Sequence, residues 1–319
     1  MGGICRGDEP SQPLAEQTQL GWILFGKMQS FQCNIVMTNV DSIQKFWEVE
    51  DLEEDPELSS DDKACMEFYS ATTQRDVNGR YVVRLPMKPD THEKIGKSKN
   101  MAKAQFINLE KKFHKQKEFS NAYKGFISEY IALQHMVPAK NNSTSPACFL
   151  PHHGVQRVDS LSTKLRVVFN ASAKTSSGYS LNDMMLKGPN LQKDLQCLIV
   201  KWRIYPYAFI SDIEKMYRQI LVHEEDQPYQ QIVWRELPEQ PIQEYQLTTV
   251  TYGTTAAPFL AMMTLQQLAA DESSKYPEAA RIVKEAFYMD DLLHGSFDVE
   301  SGQKLIKDMN NLLKSGGFN

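Results

Sequence analysis

The chain has 319 residues, 41% of them hydrophobic, and a formal net charge of -5 at pH 7. That length supports two or three subdomains around more than one core. No apolar run approaches the length that spans a bilayer and the start is polar, so neither a membrane protein nor a secreted one is expected.

Up to about residue 40 the main signal is Thr18 to Gly26, a strand-like run closed by glycine. An isolated strand cannot bury itself, so this one is expected either to dock elsewhere or to be the leftover of something larger. Ile43, Phe46 and Trp47 read as a short amphipathic helix, and Glu48 to Asp62, with nine acids and no base, as an acidic linker. Lys63 to Ala71 is predicted helical. Tyr81 to Pro86, after the turn Asn78-Gly79, is predicted as half of a hairpin.

Residues 101–136 form a predicted helix pair, with Phe106, Leu109, Phe113, Phe126, Ile127, Tyr130 and Leu133 at helical spacing. These aromatics are assigned to the core. Lysines outnumber acids from Thr91 to Lys140 (among them Lys97, Lys99, Lys111 and Lys112). A local basic surface is what tracks a phosphate backbone, whatever the overall charge. A solvated lysine face is the plainer explanation of any one of them.

Residues 138–146 read as a polar loop, and Cys148 to Val155 and Leu165 to Asn170 as strands. His152 and His153 are adjacent and must point to opposite faces, so they do not suggest a metal site. Lys164 and Arg166, two residues apart, share a face and are placed to reach a triphosphate. A solvated basic face is the alternative there.

Leu191 to Trp202 is a predicted helix feeding the strand Tyr207 to Asp212, and Ile213 to Ile220 follows with helical spacing. Residues 230–234 and 244–247 pair as a hairpin. The small-residue stretch around Tyr252, Gly253 and Thr254 opens a helix running to about Ala270, with Pro258 in its first turn. Such a loop lets a ligand approach the backbone closely. Val299 to Ser315 is a further amphipathic helix. The five cysteines include no Cys-x-x-Cys pair, which argues against zinc and for a reducing compartment.

The chemistry centres on Ala286 to Gly295, where an apolar run meets Asp290-Asp291 and turns apolar again. This reads as a β-hairpin with acids at its tip. Hairpin turns prefer Asn-Gly or Asp-Gly. Two adjacent carboxylates repel unless a cation holds them, and hard divalent cations take carboxylate oxygens. A two-metal phosphoryl-transfer centre also needs a carboxylate from a second element. Asp212, ending its strand, supplies one. Alone it would read as a helix N-cap; together with the hairpin it reads as a metal ligand.

In this order the motifs resemble the reverse transcriptase region of BEL/Pao-class long-terminal-repeat retrotransposon polyproteins, over nearly the whole chain. Lys164-Leu165-Arg166-Val167-Val168-Phe169-Asn170 resembles a fingers strand, Ser211-Asp212-Ile213-Glu214-Lys215-Met216-Tyr217 the first catalytic motif, Val250 to Phe259 the template- and nucleotide-contacting motif, and Tyr288-Met289-Asp290-Asp291 the second catalytic motif. The resemblance implies that Asp212 and Asp290 hold two Mg²⁺ (or Mn²⁺), with Asp291 assisting and the Ile213 carbonyl as a further ligand. It implies that Tyr217 excludes a ribose 2′-OH, that Lys164 and Arg166 grip the incoming deoxynucleoside triphosphate, and that Tyr252-Gly253 lies beside its base and sugar.

The implied fold is α+β, a right-hand polymerase palm and fingers with an antiparallel palm sheet. Residues 63–205 would give fingers and connecting helices, and 206–319 the palm, with a fingers insertion at about 223–250. Residues 1–62 would be an acidic linker preceded by the tail of an aspartic protease, which Gly21 to Gly26 resembles. No Asp-Ser-Gly or Asp-Thr-Gly occurs.

Two departures stand out: Asn170 occupies a position where the family usually has Asp, and the chain stops where the family continues into thumb, ribonuclease H and integrase. The expected function is RNA-directed DNA polymerisation on an RNA or DNA primer–template, in a cytoplasmic particle or the nucleus, beside other polyprotein domains. The alternative is a truncated or domesticated remnant that binds nucleic acid or a partner without polymerising. An unrelated Mg²⁺-dependent phosphotransferase would leave Tyr217 and the Lys164/Arg166 strand unexplained.

Overall fold

The computed structural model describes residues 4–5, 14–18, 21–25, 58–140, 146–156 and 165–318, and the chain divides into two units, Met1–Glu57 and Leu58–Asn319. In the first unit β1 (Ile4–Cys5), β2 (Leu14–Thr18) and β3 (Gly21–Phe25) form an antiparallel sheet in that order. The run predicted from Thr18 to Gly26 is therefore not solitary: β3 pairs with the strand before it. The expected helix around Phe46 and Trp47 lies outside the described residues.

The second unit begins with α1 (Ser60–Thr72). Ser59 caps it, its hydroxyl accepting the Asp62 amide at 3.1 Å, and Asp61 and Asp62 sit in the first turn, where the helix dipole favours acids. The helix thus starts three residues before Lys63 and absorbs the last acids of the expected linker. β4 (Gln74–Arg75) and β5 (Tyr81–Val83) pair antiparallel around a turn in which Gly79 takes φ +87°. This start of the unit is tied to its end. The Tyr69 hydroxyl donates to Thr264 Oγ1 at 3.0 Å, and Arg75 Nη2 donates to the Ser315 carbonyl at 2.6 Å.

After α2 (Thr91–Lys94), the predicted helix pair appears as α3 (Lys99–Lys115) and α4 (Lys117–Ala132). β6 (Met136–Pro138) follows, then the antiparallel pair β7 (His152–Gln156) and β8 (Leu165–Phe169). α5 (Leu195–Trp202) starts four residues later than the spacing predicts, because Asp194 caps it by accepting the Cys197 amide at 2.7 Å. β9 (Tyr207–Asp212) follows it.

α6 (Met216–Gln219) is far shorter than the helix expected over Ile213 to Ile220, since Lys215 adopts a left-handed φ of +52° and interrupts it. β10 (Leu221–Val222) pairs parallel with β5. β11 (Gln231–Trp234) and β12 (Gln243–Leu247) form the expected hairpin, and β6 pairs with the far side of β12.

α7 (Ala257–Asp271) starts with Pro258 in its first turn, as predicted. α8 (Pro277–Ala286) was not expected; it buries Ala279, Ala280, Ile282, Val283 and Ala286. β13 (Phe287–Tyr288) and β14 (Asp291–Ser296) make the hairpin, β9 pairs with the other side of β14, and α9 (Val299–Ser315) packs against that sheet. The unit is α+β, and its sheets among the described residues are small and open. No described helix is long and apolar enough to cross a membrane.

The α3–α4 aromatics do pack inward. Trp234 lies 5.5 Å from Phe106 and stacks on Tyr123 at 5.9 Å, centroid to centroid. Trp234→Ala is expected to cost about 3–5 kcal/mol of unfolding free energy, read from the urea midpoint. His152 is buried in the same cluster while His153 is exposed, as alternation requires. Tyr123 Oη lies 2.5 Å from His152 Nδ1, and Nε2 lies 2.9 Å from the Val233 carbonyl. Since the carbonyl can only accept, Nε2 carries a proton; burial lowers the ring's pKa to about 4, so at neutral pH Nδ1 is bare and accepts from the phenol. The imidazole is held neutral.

Candidate active site

Asp212 is the last residue of β9, and its partner across the ladder is Asp291, the first of β14. Directly opposed residues of an antiparallel pair project to the same face. Two carboxylates from strands 79 residues apart in sequence (291 − 212) therefore stand side by side. Asp290 sits in the turn before β14, after Met289 at φ +57°, an uncommon conformation for a non-glycine residue. The Asp290 carbonyl accepts the Ile213 amide at 2.9 Å, which ties the turn to the end of β9.

Like charges placed opposite one another weaken a ladder. Burial, then the charges of Asp290 and Asp212, push the Asp291 carboxyl above the usual range. Among the described residues no lysine or arginine forms an ion pair with any of the three acids. Nor does Asp212 cap a helix: the cap position of α6 falls on Lys215. The ordinary structural uses of these carboxylates are thus missing.

All three offer oxygen donors, the kind hard divalent cations take. Among the described residues, no three or more His, Cys, Asp or Glu side chains are gathered into a ready-made metal cluster. The donor set fits Mg²⁺ in kind. Phosphate oxygens of a bound nucleotide and water would have to complete the shell, as is usual for this ion.

The other predicted residues are linked to one another and, through Tyr217, to Asp290. Tyr217 is half-buried on α6; burial, then the Asp290 charge, raise its phenol pKa, against the pull of Arg166. Arg166 is exposed on β8, its guanidinium 5.5 Å from the centre of the Tyr252 ring. Lys164 lies outside the described residues. The Tyr252 hydroxyl donates to the Val167 carbonyl at 2.5 Å, which fastens the loop before α7 to the middle of β8. Asn170 is engaged locally, its side chain accepting the Ser172 amide at 3.1 Å.

Gly253 sits at φ +99°, and a Cβ there would lie 2.7 Å from the Phe169 carbonyl oxygen. Both facts demand glycine. Gly253→Ala is expected to cost roughly 2 kcal/mol or more, from left-handed strain plus the clash with backbone, measured as a fall in the urea midpoint.

One residue near the site escaped the sequence reading. Asn182 Nδ2 donates to the Gly253 carbonyl at 3.0 Å, and its Oδ1 accepts the Thr255 amide at 2.9 Å, so it clamps the loop from both sides. An asparagine 71 residues upstream carries no local signal of that role. An apolar cleft of about 230 Å³ runs between β9 and α9, lined by Ile210, Leu305, Ile306 and Met309 together with the candidate ligands Asp212 and Ile213; Arg166, Tyr217 and Tyr252 do not line it.

No protein-family model and no curated protein matches the chain. Among solved structures, a foamy viral protease–reverse transcriptase in complex with double-stranded DNA resembles it at a TM-score of 0.46 and 16% identity. The match covers 62% of this chain and 30% of that one. Likeness at that level carries no functional inference, and the site rests on its own geometry.

Proposed function

We propose that the chain carries the polymerising centre of an RNA-directed DNA polymerase of the BEL/Pao retrotransposon class, with fingers from 63–205 and 223–250 and the rest of 206–319 as palm. The observation that carries this reading is Asp212 opposite Asp291, with Asp290 tied to the same corner by Ile213. Three exposed carboxylates without an ion-pair partner among the described residues give cations an oxygen-lined corner to neutralise.

Asp212 and Asp290 would hold two Mg²⁺, with Asp291 and the Ile213 carbonyl as further ligands. When bound, the ions would neutralise the triphosphate and activate the primer 3′-OH for attack on the α-phosphate. Arg166, and Lys164 two residues before it in sequence, would take the triphosphate oxygens as charge-assisted donors. Tyr217 would bound the space beside the sugar, and Tyr252-Gly253 would bring backbone close to the base. Primer–template and deoxynucleoside triphosphates are the substrates under this reading.

One observation favours the second reading, a remnant that binds nucleic acid without polymerising: no three-ligand cluster is preassembled among the described residues. Primer extension on an RNA template with Mg²⁺ and the four deoxynucleotides separates the two. Extension supports the polymerase. Salt-dependent template binding without extension supports the remnant.

A further inference from the structure

Arg218 follows Tyr217 on α6 and is only 6% exposed. A buried guanidinium costs several kcal/mol unless it is paired. Two of its donors are met: Nη2 donates to Glu129 Oε1 at 2.8 Å and Nε donates to His135 Nδ1 at 2.9 Å, while the Tyr130 ring centre lies 4.3 Å from the guanidinium. Lys215, on the other side of Tyr217, reaches the same Glu129 carboxylate at 2.9 Å. Arg80 Nη2 and Nε donate to the carbonyls of Arg218 and Gln219 at 3.1 and 3.0 Å.

A four-residue helix cannot hold its own orientation. These anchors do it instead, and they flank Tyr217 on both sides in sequence. Under the polymerase reading, the Tyr217 ring, which feels the charges of Asp290 and Arg166, would bound the room left for a sugar. We propose that Arg218 is a positioning residue: held by Glu129 and His135, it fixes α6 and the Tyr217 ring, and so sets how sharply the site tells a deoxyribose from a ribose. The inference rests on the polymerase reading.

The test measures affinities for dATP and ATP on the full chain with primer–template, in Ca²⁺, alongside the thermal midpoint of each variant. Wild type is expected to prefer dATP, and Tyr217→Ala to lose the preference. Arg218→Lys cannot reach both partners with one fork, and is expected to lower the dATP/ATP affinity ratio about tenfold, less than the roughly 10²-fold that a full 1 Å misplacement can cost. Glu129→Gln, altering a half-exposed side chain, is expected to move the ratio the same way by less, and it keeps the test open if Arg218→Lys does not fold.

Wild-type protein that binds neither nucleotide overturns the polymerase reading and the inference with it. A wild-type preference that survives in both variants, even where midpoints and both affinities fall together, overturns the inference alone.

Discussion

Asp290→Asn is expected to lower nucleotide incorporation about 10³-fold, because several kcal/mol of transition-state stabilisation depend on a metal-holding carboxylate and each 1.36 kcal/mol is a factor of ten. The substitution is close to isosteric, and the bond that anchors the turn, from the Ile213 amide to the residue-290 carbonyl, belongs to the backbone. The fold should therefore persist. Removing one of three clustered like charges should leave the urea midpoint unchanged or raise it slightly. The Asp291 carboxyl, released from the Asp290 charge, should move back toward its ordinary value. Single-nucleotide extension rates with urea melts on the same preparations check both halves. Wild-type extension by the variant would remove Asp290 from the chemistry.

Acid is expected to weaken the second unit from about pH 6.5 downward, before its carboxylates begin to titrate in number. Burial lowers the His152 pKa from 6.5 to about 4, and burial followed by the Arg218 charge does the same at His135. At His135 the Arg218 guanidinium can only donate, so Nδ1 must accept and the ring is neutral in the native state, while at His152 full burial keeps the ring beside the Tyr123 hydroxyl neutral. Below pH 6.5 the unfolded chain takes up protons that the native chain refuses. Stability is therefore intact above about pH 6.5, falls as pH drops toward about 4, and levels off below that.

The His152 contribution is about 3 kcal/mol across that window, and His135 adds to it in the same direction. Urea midpoints between pH 7 and 4.5 should decline with a slope that flattens by about one proton in His152→Gln. A wild-type profile that stays flat over this range would refute the assignment.

Where the chemistry is local, the sequence displayed it. Val299 to Ser315 is a helix with the bounds its periodicity gives, Tyr207 to Asp212 is a strand, and the antiparallel sheet joining Asp212 to the 290–291 hairpin is present. Other features depend on partners far away in the chain. The helix expected after Asp212 is cut to four residues by Lys215, whose left-handed backbone accompanies an ion pair to Glu129 on another helix. The Arg218–His135 bond spans 83 residues and the Asn182 clamp 71, and no periodicity encodes either. α8 is a different kind of miss. Pro277 at its first position and apolar residues at 279, 280, 282, 283 and 286 carried the helical signal, overshadowed by the acids that follow.

The stitching of the unit's start to its end has a consequence for biosynthesis. Tyr69 bonds to Thr264, β5 lies parallel to β10, and Arg75 meets the Ser315 carbonyl. A chain emerging from the ribosome, N-terminal part first, cannot close any of these long loops until their downstream partners have been translated. Helices such as α3 and α4 can form early, but β5 must wait for residue 222 with its apolar side chains Tyr81 and Val83 uncovered. Loop closure over such separations also slows folding after release. A nascent chain paused between residues 83 and 222 would thus be the species most in need of a chaperone.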